Sequence, residues 1–394
     1  MPDDWKDTIP CKKYAPEFIE VRRHLHANPE LSYQEFQTSA FVQSKLSELN
    51  IPFEIKAQTG VIGLIKGKNP DKKVIALRAD MDALPILEAN DVSYKSLHEG
   101  IMHACGHDVH TTCLLGAAKI LNELKEEWEG TIKLIFQPGE EKNPGGASLL
   151  INEGVLENPA PDAIFGLHVH PALPTGKVSF RSGKVMASAD ELYFIIKGKG
   201  GHAAAPQSCI DPILIASHLV IALQQVISRR KNPLHPSVLS ITAFNGGTTT
   251  NVIPGEVKLM GTFRAMDEAW RFEAHEIIKT ISNNLVTSMG GELDLHIDVG
   301  YPNVFNNEEL TNIASQKAID FMGAENVEET EIRMGAEDFG YYTQKIPGCF
   351  YRLGVMSNPD DIRNVHTPVF DINEEAIEIG MGMMAWLGAS VEKW

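Results

Sequence analysis

TIKLIFQPGEE, residues 131–141, is the stretch from which the fold can be read. Thr131–Gln137 is a short apolar run of strand length, stopped at once by Pro138-Gly139 and followed by two carboxylates, Glu140 and Glu141. The same grammar occurs twice more. KKVIALRA (72–79) is a strand with Asp80 and Asp82 at its end, and AIFGLHVH (163–170) is a strand carrying His168 and His170. Between the first two lies LLGAAKILNEL (114–124), a helix pattern. Alternating strands and helices predict an α/β domain with a mostly parallel sheet. Such sheets place ligands beyond the carboxyl ends of their strands, where all three polar pairs fall.

Working outward, MHACGHDVHTTC (102–113) crowds three histidines, Cys105 and Asp108 into a few residues ahead of that helix. Thiol, imidazole and carboxylate at this density suit metal ligation. Cys105 and His107 are two apart, so in extended chain they point the same way; the alternative is a buried thiol beside a loop histidine. Adjacent Glu140 and Glu141 point apart on a strand end, which fits one carboxylate on a metal and one moving a proton. His168, in an apolar strand, is a ligand candidate oriented by neighbouring carboxylates; His170, next to Pro171, reads as leaving the site. His366, in VHTPVF, is a loop histidine of the kind usually exposed. His24 and His26, in a helical lead-in over 15–50, read as structural.

From about residue 188 the pattern changes to strand 190–199, helix 211–230, strands 237–247 and 256–265, helix 267–291 and strand 292–299. The order βαββαβ predicts a ferredoxin-like α+β unit inserted into the larger domain. The expected division is therefore 1–187 with 302–394 as the larger domain and 188–301 as the insert. The chain ends in a helix expected from Glu374 to Trp386, capped by Asn373. Within the insert, GKGGHAAAP (198–206) puts His202 on a glycine-rich loop where it could serve a developing oxyanion. Asn251 and Arg264 are further polar candidates, Arg264 for a carboxylate through bidentate hydrogen bonds.

The chain has 394 residues, a net charge of −17 and five dispersed cysteines. The odd cysteine count without CxxC pairs favours a reducing cytoplasm over a disulfide framework. The acidic balance argues against nucleic acid or an anionic membrane as partner. No signal peptide is evident, and no uninterrupted apolar run reaches the ~18 residues of a membrane span.

Taken in order, RRHLHANPELSYQE (22–35), LRADMDALPI (77–86), MHACGHDVHTTCLLGAA (102–118), FQPGEE (136–141), FGLHVHP (165–171), GKGGHAAAP, TTTNVIP (248–254), GTFRA (261–265), GAEDFGYY (335–342) and VHTPVF (365–370) resemble the M20 metallopeptidase-like amidohydrolases, in the branch of aminoacylases, hippurate hydrolases and auxin-conjugate hydrolases. The resemblance spans about residues 15–390. It implies a zinc-peptidase-like catalytic domain with a lid that pairs two subunits into a homodimer. It implies two divalent metal ions (zinc, manganese, cobalt or nickel) held by Cys105, His107, Glu141, His168 and His366, with the cysteine shared. Glu140 would be the general base, Asp82 would orient a metal ligand, and His202 would stabilise the tetrahedral intermediate. Asn251 and Arg264 would lie near the substrate carboxylate. Asp80 falls where other M20 branches carry a metal-binding histidine. The implied reaction is hydrolysis of an N-acyl-L-amino acid. N-acetyl-diaminopimelate deacetylation, dipeptide cleavage and a silent metal-binding protein are the alternatives, with a redox thiol at Cys105 the last. In FQPGEEKNPGGA (136–147), Lys142-Asn143-Pro144 replace a glycine-rich continuation, so a stiffer loop is expected beside Glu140. GAEDF (335–339) reads as a pocket wall.

Overall fold

The computed structural model describes residues 9–392; the outermost ends of the expected larger domain, 1–8 and 393–394, lie outside them. The chain forms two compact units. One takes in the chain up to Val185, Phe305–Glu331 and the chain from Asp338; the other comprises Met186–Val304 and Ile332–Glu337.

The first unit opens with α1 (Cys11–Ala27) and α2 (Phe36–Glu48), where the lead-in splits at Pro29. Strands β1 (Phe53–Lys56), β2 (Gly60–Lys66) and β3 (Val74–Asp80) follow, then α3 (His107–Glu123), β4 (Thr131–Gln137), α4 (Gly146–Asn152), β5 (Ala163–Pro174) and β6 (Val178–Phe180). All seven residues of β4 are buried, as a strand covered on both faces requires. Strand β5 runs on past His170 to Pro174, further than its sequence pattern foretells.

The second unit carries β7 (Asp190–Lys197), β8 (Gly201–His202), α5 (Pro212–Gln225), β9 (Ser237–Asn245), β10 (Val252–Ile253), β11 (Glu256–Ala265), α6 (Glu268–Ser288) and β12 (Glu292–Val299). Its main sheet has the order β9-β11-β7-β12, antiparallel throughout. This is the ferredoxin-like arrangement that the βαββαβ order predicts. Leu192, Phe194 and Ile196 alternate along β7 and are buried under α5 and α6. Both helices start at an aspartate: Asp211 accepts from Ile213 N, and Asp267 from Trp270 N. The helical stretch Pro212–Arg230 has the length and mean hydropathy (1.3) of a membrane crossing. Its Ile215, Ala216, Leu219, Leu223 and Val226 instead pack in this unit's core.

Back in the first unit come α7 (Glu308–Met322), β13 (Val327–Glu329), the short α8 (Gly340–Thr343), β14 (Gly348–Met356) and α9 (Ala376–Ser390). The last helix starts two residues later than its sequence signals suggest, because Asn373 Oδ1 accepts Glu375 N in a turn ahead of it. The eight-stranded sheet has the order β1-β2-β4-β3-β5-β14-β6-β13. Its centre, β4-β3-β5-β14, is parallel; the flanking contacts β2–β4 and β14–β6 are antiparallel. The parallel centre is the part that the strand–helix alternation announces.

Candidate metal centre

The parallel centre aligns Asp80 of β3 with Gln137 of β4 and Arg352 of β14 with His168 of β5. Asp80–Asp82, the segment after Gln137 and His168 are therefore delivered to one end of the sheet. The Cys105 loop joins them through Gly106, which has φ +85°. A Cβ on Gly106 would lie 2.5 Å from Val169 Cγ2, so only glycine lets the turn between Cys105 and His107 pack on β5. His366 arrives from far along the chain, its backbone N–H donating to Ala104 O at 2.7 Å. It holds a left-handed φ of +62°, a conformation a histidine adopts at some cost.

Five side chains converge. Cys105 Sγ lies 3.5 Å from His168 Nε2 and 3.3 Å from His366 Nε2. Glu141 Oε1 lies 3.2 Å from His366 Nε2 and 4.0 Å from His107 Nε2. Two donor sets of metal-binding size share the thiol: Cys105 with His107 and His168, and Cys105 with Glu141 and His366. Glu140 is buried beside them, its Oε2 4.0 Å from His107 Nε2. The outer ring nitrogens are engaged. His107 Nδ1 sits 3.1 Å from Asp82 Oδ1 and His168 Nδ1 2.8 Å from its neighbour Val169 O. Donation through Nδ1 leaves each Nε2 lone pair aimed inward.

Buried His107 Nε2 has no hydrogen-bond partner, and Glu141 Oε1 faces the His366 imidazole at 3.2 Å. An arrangement with inward lone pairs, a thiol and carboxylates, and an unpartnered buried imidazole nitrogen among them, fits divalent cations. The electrostatics agree. Burial opposes charge on His107, yet Asp80 and Asp82 outweigh it and push the imidazole up to about 10. Burial and the charges of Glu141 and Glu140 hold the Cys105 thiol well above its ordinary range. Burial holds His168 neutral. The site calls for positive charge.

The remaining candidates take other places. His110 Nδ1 lies 2.6 Å from Asp80 Oδ1, and its Nε2 accepts Val169 N at 3.0 Å. Asp80 also receives Arg78 at 2.7 Å. Asp108 accepts Arg22 Nε, and His26 sits between Asp108 and Glu88 in a buried network. His103 is buried with both ring nitrogens lacking a hydrogen-bond partner. Within the second unit, strand pairing brings His202 opposite Val252, and Ala203 N donates to Asn251 O. Ala204 N donates to His202 Nδ1. Arg264 donates to Thr262 Oγ1 at 3.1 Å.

Sequence reading misses the supports of the Glu140–Glu141 loop. Asp338, placed by sequence in a pocket wall, is fully buried and accepts from Arg78, from Gln137 Nε2 and from Ala147 N. Glu35 accepts Gly139 N at 2.8 Å, Tyr33 N at 2.8 Å and Thr59 Oγ1 at 2.9 Å. Burial and the nearby charge of Asp82 push its carboxyl up to about 7. A glutamate opening a helix resembles an ordinary first-turn acid, so local pattern carries no sign of it. Tyr33 Oη bridges Lys142 O and Gly145 N, which braces the Lys142-Asn143-Pro144 departure.

A parallel-centred α/β unit with a shared-cysteine cluster at its strand ends, joined to a ferredoxin-like insert, defines a class of metallohydrolases. Residues 76–387 match the profile of peptidase family M20/M25/M40. The chain belongs to that family and is a hydrolase of amide bonds. It is 42% identical over 376 residues to IAA-amino acid hydrolase ILR1-like 5 of Arabidopsis thaliana, covering 94% of this chain and 85% of that one. It is 38% identical over 385 residues to the N-acetylcysteine deacetylase of Bacillus subtilis, covering 96% and 98%. Among solved structures it is similar to the Bacillus subtilis YXEP protein, described as a dinuclear metal binding peptidase of family M20. The TM-score there is 0.83 and the identity 35%, over 96% of this chain and 98% of that one.

Proposed function

We propose that this protein is a two-metal amidohydrolase cleaving N-acyl-L-amino acids to a carboxylate and a free amino acid. The observation that carries the reading is the pair of donor sets sharing Cys105, with the buried Glu140 carboxylate beside them. Cys105, His107, Glu141, His168 and His366 are the ligands, and the thiolate favours zinc, cobalt or nickel over magnesium, with manganese also admitted. Bound there, two ions supply Lewis acidity and bring the pKa of water from about 15.7 toward ~7.

The protein's own groups do the rest. Asp82 holds the His107 ring in its ligating tautomer. Glu140 takes the proton of the attacking water and returns it to the leaving nitrogen. His202 is assigned to the oxyanion. Its Nδ1 accepts Ala204 N, which puts the ring proton on Nε2, where it is a donor. Arg264 and Asn251 are assigned to the substrate carboxylate, supported by their donor chemistry. The hydrolase and deacetylase named above, both acting on amide-linked amino acids, support the substrate class.

Amine release from N-acetyl, N-benzoyl and dipeptide substrates, with elemental analysis of the same sample, tests the reading. The acyl substrates are expected to lead; preference for N-acetyl-diaminopimelate or for dipeptides would move the assignment to those. Glu140→Gln should keep its metal and lose 10²–10⁴-fold in kcat; full activity with metal retained removes Glu140 from its role.

We also propose a cytoplasmic homodimer paired through the inserted unit, with the metal-binding unit as the catalytic domain. Five free cysteines support the reducing compartment. Strands β9 and β12 are the edges of the insert's sheet, and an edge strand can pair with a second copy. Light scattering at twice the 43.4 kDa chain mass is the expected result; a single-chain mass discards the dimer.

A further inference from the structure

The Glu140–Glu141 pair sits on neither helix nor strand. It lies in the connection between Gln137, the end of β4, and Gly146, the start of α4. An irregular segment has no ladder of its own to hold it, so its geometry depends on what its backbone groups find. Here two buried acidic side chains take N–H groups of the segment, and a third takes one in the first turn of α4. Glu35 takes Gly139 N, Asp82 takes Glu141 N at 2.9 Å, and Asp338 takes Ala147 N at 2.9 Å. Asp82 and Asp338 have other duties, to His107 and to Arg78. Glu35 has none at the metal cluster: its other bonds go to Tyr33 N and Thr59 Oγ1. Its grip falls on the residue immediately before Glu140.

The turn at Gly139 is also sterically set. It has φ +54°, and a Cβ there would lie 2.2 Å from the Tyr33 ring. Tyr33 and Glu35 therefore both hold this turn, one by packing and one by a buried carboxyl oxygen that accepts Gly139 N–H.

We propose that Glu35 is a positioning residue for proton transfer: its carboxylate, through Gly139 N–H, sets the backbone from which Glu140 reaches the reacting atoms. The proposal rests on the role given to Glu140 above. Misplacement of a catalytic group by about 1 Å costs on the order of 10²-fold, which sets the scale of the expected effect.

The test uses the zinc-loaded full chain with the best substrate of the panel, and Glu140→Gln as a control. Glu35→Ala is expected to lower kcat 10- to 100-fold, with KM and metal content within twofold of the parent. Glu35→Gln keeps an oxygen for Gly139 N and should return kcat to within about threefold. Glu35→Asp keeps a buried carboxylate but is one methylene short of Gly139, so it should resemble Glu35→Ala; it serves if Glu35→Ala does not fold. Parental kcat in Glu35→Ala or Glu35→Asp, no recovery in Glu35→Gln, or a loss that tracks metal content overturns the proposal. Hydrogen exchange at Gly139 N–H reads the same contact without substrate. Faster exchange in the short variants than in the parent is expected, and unchanged exchange overturns it. Should Glu140→Gln itself remain active, the role of Glu140 fails independently of Glu35.

Discussion

At the scale of single residues, two of the proposed ligands have a partner that turns the ring: Asp82 for His107 and Val169 O for His168. Asp82 is the clearest case, with one oxygen on His107 Nδ1 and the other on Glu141 N and Ser32 Oγ. One carboxylate thus orients two proposed ligands from both sides of the cluster. Removing such an orienting partner typically costs 10–100-fold in metal affinity. Asp82→Asn is expected to weaken zinc binding by that factor, measured by competition with a chromogenic chelator; unchanged affinity excludes the orienting role. The types of these residues are legible in the sequence, since a thiol, histidines and carboxylates announce themselves. Their partners are less so. Nothing local to Glu35 or Asp338 separates a buried acceptor from a surface acid, because that difference lies in which backbone N–H groups arrive from elsewhere.

At the scale of elements, a buried polar cluster ties strand to helix in the inserted unit. Asp190, the first residue of β7, accepts from Arg271 of α6 at 2.5 and 2.9 Å, from His275 Nε2 at 2.8 Å and from Gly300 N. Burial alone would raise this carboxyl; the bonds from His275 and Arg271 outweigh it and hold it below the ordinary 3.8. An aspartate depressed in the folded state adds stability that is complete above the unfolded value of about 3.9. That stability is lost as pH falls through the folded value. Breaking a buried pair costs about 3–5 kcal/mol. Asp190→Asn should therefore be less stable by that order in urea at pH 7, and the gap to the parent should begin to narrow below about pH 4 and close once the pH has fallen past the depressed folded value. A gap independent of pH would show that the charge is not what matters. Some element positions follow closely from periodicity, since β4, β11 and β12 begin and end where their apolar patterns do, whereas α3 begins at His107, ahead of the pattern read from Leu114. The short flanking strands β1, β6 and β13 escape such a reading, being too brief to show a period.

At the scale of the whole molecule, the proposed metal donors come from four separate stretches, Cys105 to His107, Glu141, His168 and His366. Ions bound across them would tie the end of the sheet, α3 and the His366 loop together. A ligand at 1,000 times its Kd stabilises the folded state by about 4 kcal/mol. Removing metal with EDTA or phenanthroline should abolish amide hydrolysis and also lower Tm, both restored by zinc or manganese. Activity that survives chelation would favour thiol chemistry at Cys105 instead.

What the sequence determined by itself is what depends on neighbours along the chain. The strand and helix periods give the parallel centre and the ferredoxin-like insert, and residue chemistry gives a thiol–imidazole–carboxylate metal site at the strand ends. Residue chemistry does not say which of many histidines and acids meet; the resemblance proposes Cys105, His107, Glu141, His168 and His366, and tertiary structure is what brings them together. His366 reaches Cys105, 261 residues away, only because its backbone docks on Ala104. His110, close to Cys105 in sequence, instead spends its ring nitrogens on Asp80 and Val169 N. Glu35 meets Gly139 across 104 residues. Such contacts come from sheet register and loop closure, where a backbone hydrogen bond or the space for a missing Cβ settles the geometry, and neither leaves a mark on the local sequence.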